Sequence, residues 1–331
     1  GVGTSVVIAQ PGDYVDFNPH QSNSYYDYLI FMNSFARLAR RRGEYNLSHA
    51  VPWLAESWTA SADYKTWNVQ LRQGLKWSDG TEFTADDVIF TYHSILDPAC
   101  ASPNRGTIAN IVGNASAITK VNDYEVKFVL PEPYAYTETV LFGLEIIQKA
   151  QMEAVPLAEW KTHGTNTGDI PMIGITQYQF DTYDGSTTVE MVKNPYYNQA
   201  LWGHDPNMVG GGNFLPNGTI ETITFKVVKE ATAAVAGLAG GIYDVIDSQM
   251  GIQAQHNEVN DSDWGKILKG YEWGYQEMGI NHFNPIFGMN AHDPREMYPD
   301  DYGGPAPLDP ISVFIAMVGL AVVQIIRRKR K

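Results

Sequence analysis

Side chains equipped for chemistry are thinly spread along these 331 residues. Eight histidines (His20, His49, His93, His163, His204, His256, His282 and His292) never recur four apart, the spacing that puts two imidazoles on one helical face around a metal. The single cysteine, Cys100, excludes an internal disulfide and reads as a small buried side chain. Asp181-Thr-Tyr-Asp184-Gly185 has the composition of a calcium loop but lacks its ligand spacing and closing glutamate, so it reads as a hairpin turn. Asp86 and Asp87 could exchange protons with a substrate, yet they follow Thr84 at the spacing of a helix cap. No H-E-x-x-H, G-x-S-x-G or Walker A pattern occurs. The chain is expected to be a binding protein rather than an enzyme, with no cofactor.

Binding chemistry is better supplied. Nineteen tyrosines and eight tryptophans pair an apolar face with a polar tip, which suits peptide or sugar ligands. They cluster at Tyr25-Tyr26-Asp27-Tyr28 and Tyr271-Glu-Trp273-Gly-Tyr275. The net charge is −14, and about −19 once the five basic residues at the end are set aside. Such a body repels phosphate backbones, so nucleic acid is not an expected partner. With 44% hydrophobic residues the chain can bury a large core.

The elements that must position these groups are partly legible. Period-two alternation at Trp67, Val69 and Leu71, at Tyr124, Val126, Phe128 and Leu130, and at Ile223, Phe225 and Val227 predicts three half-buried strands. Thr84-Ala-Asp-Asp87 opens a helix that runs through Ile95 and ends before Asp97-Pro98. Ala231 to Ala239 predicts a second helix stopped by Gly240-Gly241, between the Ile223 strand and a short strand at Tyr243–Ile246, as in a β-α-β unit. Residues 203–218 and 290–310, rich in glycine, proline and acids, read as an exposed loop and a spacer.

Residues 311–326 (ISVFIAMVGLAVVQII) carry no charge and are followed by Arg327-Arg-Lys-Arg-Lys331. As a helix this segment would be about 24 Å long, short of the roughly 30 Å hydrocarbon core, a gap that snorkelling arginines could close. It is expected to be a single membrane anchor with the basic tail (327–331) in the cytoplasm and the body outside. The first residues hold no charged and apolar leader, so a signal peptide is expected to have been removed. Asn46, Asn114, Asn217 and Asn260 stand in glycosylation sequons, a weak sign of an exported surface.

One stretch carries a more specific message. Leu54-Ala-Glu-Ser-Trp58, Trp67-Asn-Val-Gln-Leu-Arg72-Gln-Gly74, Trp77-Ser-Asp-Gly80 and Phe83-Thr-Ala-Asp-Asp-Val88-Ile-Phe90 follow in order. This composite resembles the signature of the family 5 solute-binding proteins, the extracytoplasmic peptide- and nickel-binding components of ABC importers. Its residues read as scaffold: strand, turn and helix cap. The resemblance continues through Val6–Pro19, Ser22–Tyr28, Pro171-Met-Ile-Gly174, Lys193-Asn-Pro195-Tyr-Tyr197, Ile220–Asp247 and Gly274–Asn281. The second glycine and following proline of the family's central segment are not present after Gly174.

The resemblance implies an α/β fold of the type II periplasmic-binding-protein kind, a mixed sheet with flanking helices. The lobe and the start of the crossover are expected over 1–289, with the family's second lobe largely missing. The implied function is capture of an oligopeptide or similar small solute for an ABC permease and its ATPase, a separate chain being one possible source of the second lobe. The alternative is a one-lobed surface interaction protein that has lost transport. The implied ligand contacts are Asn23, Ser24 and Tyr25, then Asn104, then Ser248 and Gln249, with Trp273 and Tyr275 added where they flank the crossover.

Overall fold

The computed structural model describes residues 5–42, 46–202, 220–252, 259, 265–268 and 324–327, with backbone alone for 41–42, 46–49, 248, 265–268 and 324–327. Two sheets organise the chain. The larger is built from β1 (Ser5–Gln10), β8 (Tyr178–Tyr183), β9 (Thr188–Lys193), β10 (Thr222–Val227), β11 (Val245–Ile246), β12 (Gly265–Leu268) and β13 (Gln324–Arg327), in the order β12-β13-β11-β1-β10-β9-β8. Its centre is parallel, with β1 between β10 and β11. Its flanks, β9–β8 and β13–β12, are antiparallel. The smaller sheet is antiparallel, in the order β4 (Ala55–Ala60), β5 (Thr66–Leu71), β7 (Glu125–Val129) and β6 (Ile118–Asn122). A two-stranded ribbon, β2 (Ala39–Arg42) with β3 (Asn46–Pro52), stands beside them.

The alternation read from the sequence is realised in β5, β7 and β10, where Trp67, Val69, Leu71, Val126, Phe128, Ile223 and Phe225 all point into cores. Helix α1 (Tyr25–Ser34) covers one face of the large sheet. Helices α2 (Ala85–Leu96) and α3 (Arg105–Val112) cover the small one. Short helices α4 (Lys149–Met152) and α5 (Gly164–Thr167) lie in the return to β8. Helix α6 (Ala231–Gly240) packs on the opposite face of the large sheet and ends at Gly241, whose left-handed φ of 78° stops it. The β-α-β unit forms, but β10 and β11 are not neighbours; α6 carries the chain across β1, which separates them.

The capping box is complete. Thr84 Oγ1 accepts from the Asp86 amide at 3.3 Å, and Asp87 Oδ2 accepts from the Thr84 amide at 3.0 Å. The Asp184 turn also forms: Asp184 Oδ1 accepts the amides of Ser186, Thr187 and Thr188, and Gly185 takes φ 80°. These three amides hold the Asp184 carboxyl well below the usual carboxylate range. Cys100 is buried and free of disulfides.

The two sheets are joined where Ser34 meets Gly174. A Cβ at Gly174 would lie 2.6 Å from the Ser34 carbonyl oxygen, so only glycine permits this approach. Ser78 closes the junction: its amide donates to the Gly174 carbonyl at 2.8 Å and its Oγ accepts from the Gly174 amide at 3.2 Å.

The loop expected over 203–218, the spacer over 290–310 and most of the anchor expected over 311–326 lie outside the described residues. The anchor's last three residues, Gln324–Ile326, are corrected: they belong to β13, where Ile325 and Ile326 pair with Ile246 and Val245. Their β-branched side chains suit a strand, and the pairing satisfies the open backbone edge of β11. Among the described residues no helix is long and apolar enough to cross a membrane.

Candidate functional site

The parallel strands β1, β10 and β11 end together, and the C-terminal edge of such strands is where open α/β sheets bind ligands. Three segments meet there. Residues 14–24, following β1, are organised by Asp27 in the first turn of α1. Its carboxylate accepts from the amides of Val15 and Asp16, each at 2.9 Å, and from Ser22 Oγ at 2.7 Å. Burial raises the Asp27 pKa, and these three donors oppose the rise. Gln21 then reaches the second segment, donating from Nε2 to the Cys100 carbonyl at 2.8 Å. That contact ties the 98–104 turn, and Asn104 at the start of α3, to the first loop.

The third segment follows β11. Ile8 pairs with Val245 and Ala9 with Ile246, so the next step sets Gln10 beside Asp247; the Asp247 amide donates to the Ala9 carbonyl at 2.8 Å. Ile8 and Val245 pack with α1, whereas Ala9 and Ile246 pack with α6. Alternation therefore turns Gln10 and Asp247 toward the N-terminus of α1. There the Tyr25 hydroxyl faces the Asp247 carboxylate and favours its charged form, and the Gln249 amide donates to Asp247 Oδ1 at 2.9 Å. Burial pushes the Asp247 carboxyl up to about 6 despite these two neighbours. Tyr26 lies against the backbone of Gly12, where a Cβ would come within 1.8 Å of its ring, so this position also requires glycine. Burial and the carboxylates of Asp27 and Asp247 push the Tyr14 hydroxyl well above its ordinary value.

The expected contacts are thus partly gathered. Asn23 is exposed and Ser24 half-buried at the N-cap of α1, where its side chain makes no capping bond. Tyr25 reaches Asp247 across 222 residues of sequence. Asn104 is half-buried, and its amide donates to Ser102 Oγ at 3.3 Å. Gln249 is exposed beside Asp247, and Ser248 is placed by its backbone in the same turn. Trp273 and Tyr275 lie outside the described residues. Gln10, Tyr14 and Asp247 were not singled out by the sequence. The one available signal was position: Asp247 directly follows the strand expected at Tyr243–Ile246.

A second buried polar group lies at the α1–β2 junction. Arg37 donates from Nε to Glu145 Oε1 at 2.8 Å, and buried His20 sits near Glu145. Burial outweighs that carboxylate and pushes the His20 pKa down to about 4. Among the described residues, no three His, Cys, Asp or Glu side chains are grouped to hold a metal ion.

Comparisons with known proteins agree with this architecture. The chain is 28% identical over 253 residues to the oligopeptide-binding protein OppA of Lactococcus lactis subsp. lactis, covering 69% of this chain and 38% of OppA. It is 26% identical over 212 residues to the nickel-binding periplasmic protein of Escherichia coli, covering 61% of this chain and 34% of that protein. The structure of the oligopeptide-binding protein AppA from Bacillus subtilis, solved with a nonapeptide, superposes with a TM-score of 0.66 at 23% identity, over 81% of this chain and 48% of AppA. The chain therefore spans between about a third and a half of the relatives it matches. The family model for bacterial extracellular solute-binding proteins, family 5, matches residues 49–291, and the chain belongs to that family.

Proposed function

We propose that this chain captures a peptide-like solute outside the cytoplasm and delivers it to the permease of an ABC importer. The observation that carries this reading is the meeting of residues 21–25, the 98–104 turn and residues 247–249 at the C-terminal edge of β1 and β11. Tyrosine faces and a few convergent polar groups are what a solute pocket needs. The relatives named for oligopeptides and nickel support the solute-binding role. Calorimetry and thermal-shift assays of the full chain against a peptide library test it. Saturable binding with a raised melting temperature is expected, and no binding across the library overturns it.

A further inference from the structure

Five carboxylates are buried among the described residues: Asp16, Asp27, Asp87, Glu145 and Asp247. Four are fully provided for. Asp16 holds Lys161 Nζ at 2.6 and 2.7 Å and Asn166 Nδ2 at 2.7 Å. Glu145 holds Arg37. Asp27 accepts two amides and a hydroxyl. Asp87 accepts two amides and the Trp77 indole N–H. Asp247, 3% exposed, accepts the Gln249 amide and faces the Tyr25 hydroxyl, and no cation pairs with it among the described residues.

Its surroundings share that imbalance. Gln10, fully buried beside it, spends its amide N–H on the Gly12 carbonyl at 3.1 Å, and its Oε1 has no partner. The buried Tyr14 hydroxyl also has no partner. The lysines that follow β10 and flank the first loop are engaged elsewhere, Lys229 with Asp13 at 2.6 Å and Lys161 with Asp16. The Asp247 carboxylate and the Gln10 amide oxygen thus lie side by side with too few donors, and the Tyr14 hydroxyl, close enough to feel the Asp247 charge, donates to neither, in a place where unmet polar groups are costly. The uncapped N-terminus of α1 lessens the cost of the charge without supplying a cation.

We propose that Gln10, Tyr14 and Asp247 form a subsite for a cationic, N–H-rich group of the solute, an ammonium or guanidinium. This rests on the solute-capture reading and narrows its substrate class. An ammonium brings three donors and a positive charge, which matches the acceptors at this edge. A carboxylate-bearing end is disfavoured here by Asp247 and Asp27.

The test uses tripeptides differing only at the central residue (lysine, norleucine or glutamate), each with a free or an acetylated N-terminus, titrated into the full chain and its Asp247→Asn variant. Asparagine retains the volume and the bond from the Gln249 amide. For the wild type, at least one cationic group, side chain or N-terminus, is expected to tighten binding about tenfold over its neutral counterpart. In the variant that preference falls to about twofold or less, through loss of affinity for the cationic peptides. The unliganded variant is expected to melt higher at neutral pH, because a charge awaiting its partner has been removed; a purely structural aspartate would give a lower melting temperature. The proposal is overturned if the wild type shows neither preference, or if the preference survives in the variant. Binding without charge preference leaves the solute-capture reading standing, whereas no binding by any probe overturns both.

Discussion

Asp87 and Asp247 are both buried carboxylates whose pKa is raised by burial, and they stand at opposite ends of the molecule's economy of hydrogen bonds. Asp87 sits in the small-sheet half, where it ties the Trp77 indole, the Thr84 amide and the Lys149 amide to the start of α2. Asp247 sits at the edge of the large sheet, held by the Gln249 amide and next to the Gln10 amide oxygen, which has no partner. The Asp87 carboxylate is satisfied internally and behaves as scaffold. The Asp247 edge stores unmet polarity where a ligand could meet it.

That contrast can be broken by substitution, beginning where packing is densest. Trp77→Ala removes a fully buried indole and is expected to cost about 4 kcal/mol in denaturant unfolding; a loss below about 1 kcal/mol would show that the small sheet is not the rigid half. Asp87→Ala leaves an indole N–H and two amides without their acceptor, for an expected loss of about 3 kcal/mol. Asp247→Asn should act in the opposite direction, adding about 2 kcal/mol at neutral pH, where the wild-type carboxylate is ionised at a burial cost. If both aspartate variants destabilise equally, the proposed division of labour fails.

A subtler consequence concerns pH. Asp247 has a folded pKa of about 6, above its unfolded value, so the fold gains stability as pH falls from 6 toward 4. His20 has a folded pKa of about 4, below its unfolded value, so it takes stability away over almost the same range as pH falls from 6.5. The two slopes oppose each other. The melting temperature of Asp247→Asn should therefore fall on acidification more steeply than that of the wild type, and that of His20→Gln should fall less. Parallel profiles for all three proteins would remove both assignments. The smallest effect is expected at Tyr136, 63% exposed beside the small sheet, where alanine should change stability by no more than about 0.5 kcal/mol.

What could be read before folding was local. The cap at Thr84, the alternation in β5, β7 and β10, and the Asp184 turn each arise from residues within a few positions of one another, where hydrogen-bond reach and side-chain period decide the outcome. The family signature at 54–90 was legible for the same reason, since it encodes strand, turn and cap in one continuous stretch. The candidate contacts Asn23, Ser24, Tyr25, Asn104, Ser248 and Gln249 came from resemblance and gained a shared location through Gln21 and Asp247. The apolar run ending at Ile326 shows the opposite case. Hydrophobicity without a polar face suits a spanning helix, yet Ile325 and Ile326 are strand-paired with β11, because two β-branched residues serve a sheet edge equally well.

By itself, the sequence determined what composition and local pattern can carry: an acidic, tyrosine-rich chain with the signature of its family. Only the tertiary structure decided which polar groups meet. Gln10 lies beside Asp247 because β1 is inserted between β10 and β11, an ordering invisible to any local pattern. Tyr25 and Asp247 are 222 positions apart, and their contact exists because α1 docks over that parallel centre. Local hydrogen bonds are dictated by spacing along the chain. The deficit of donors at the binding edge is created only when distant acceptors are buried together.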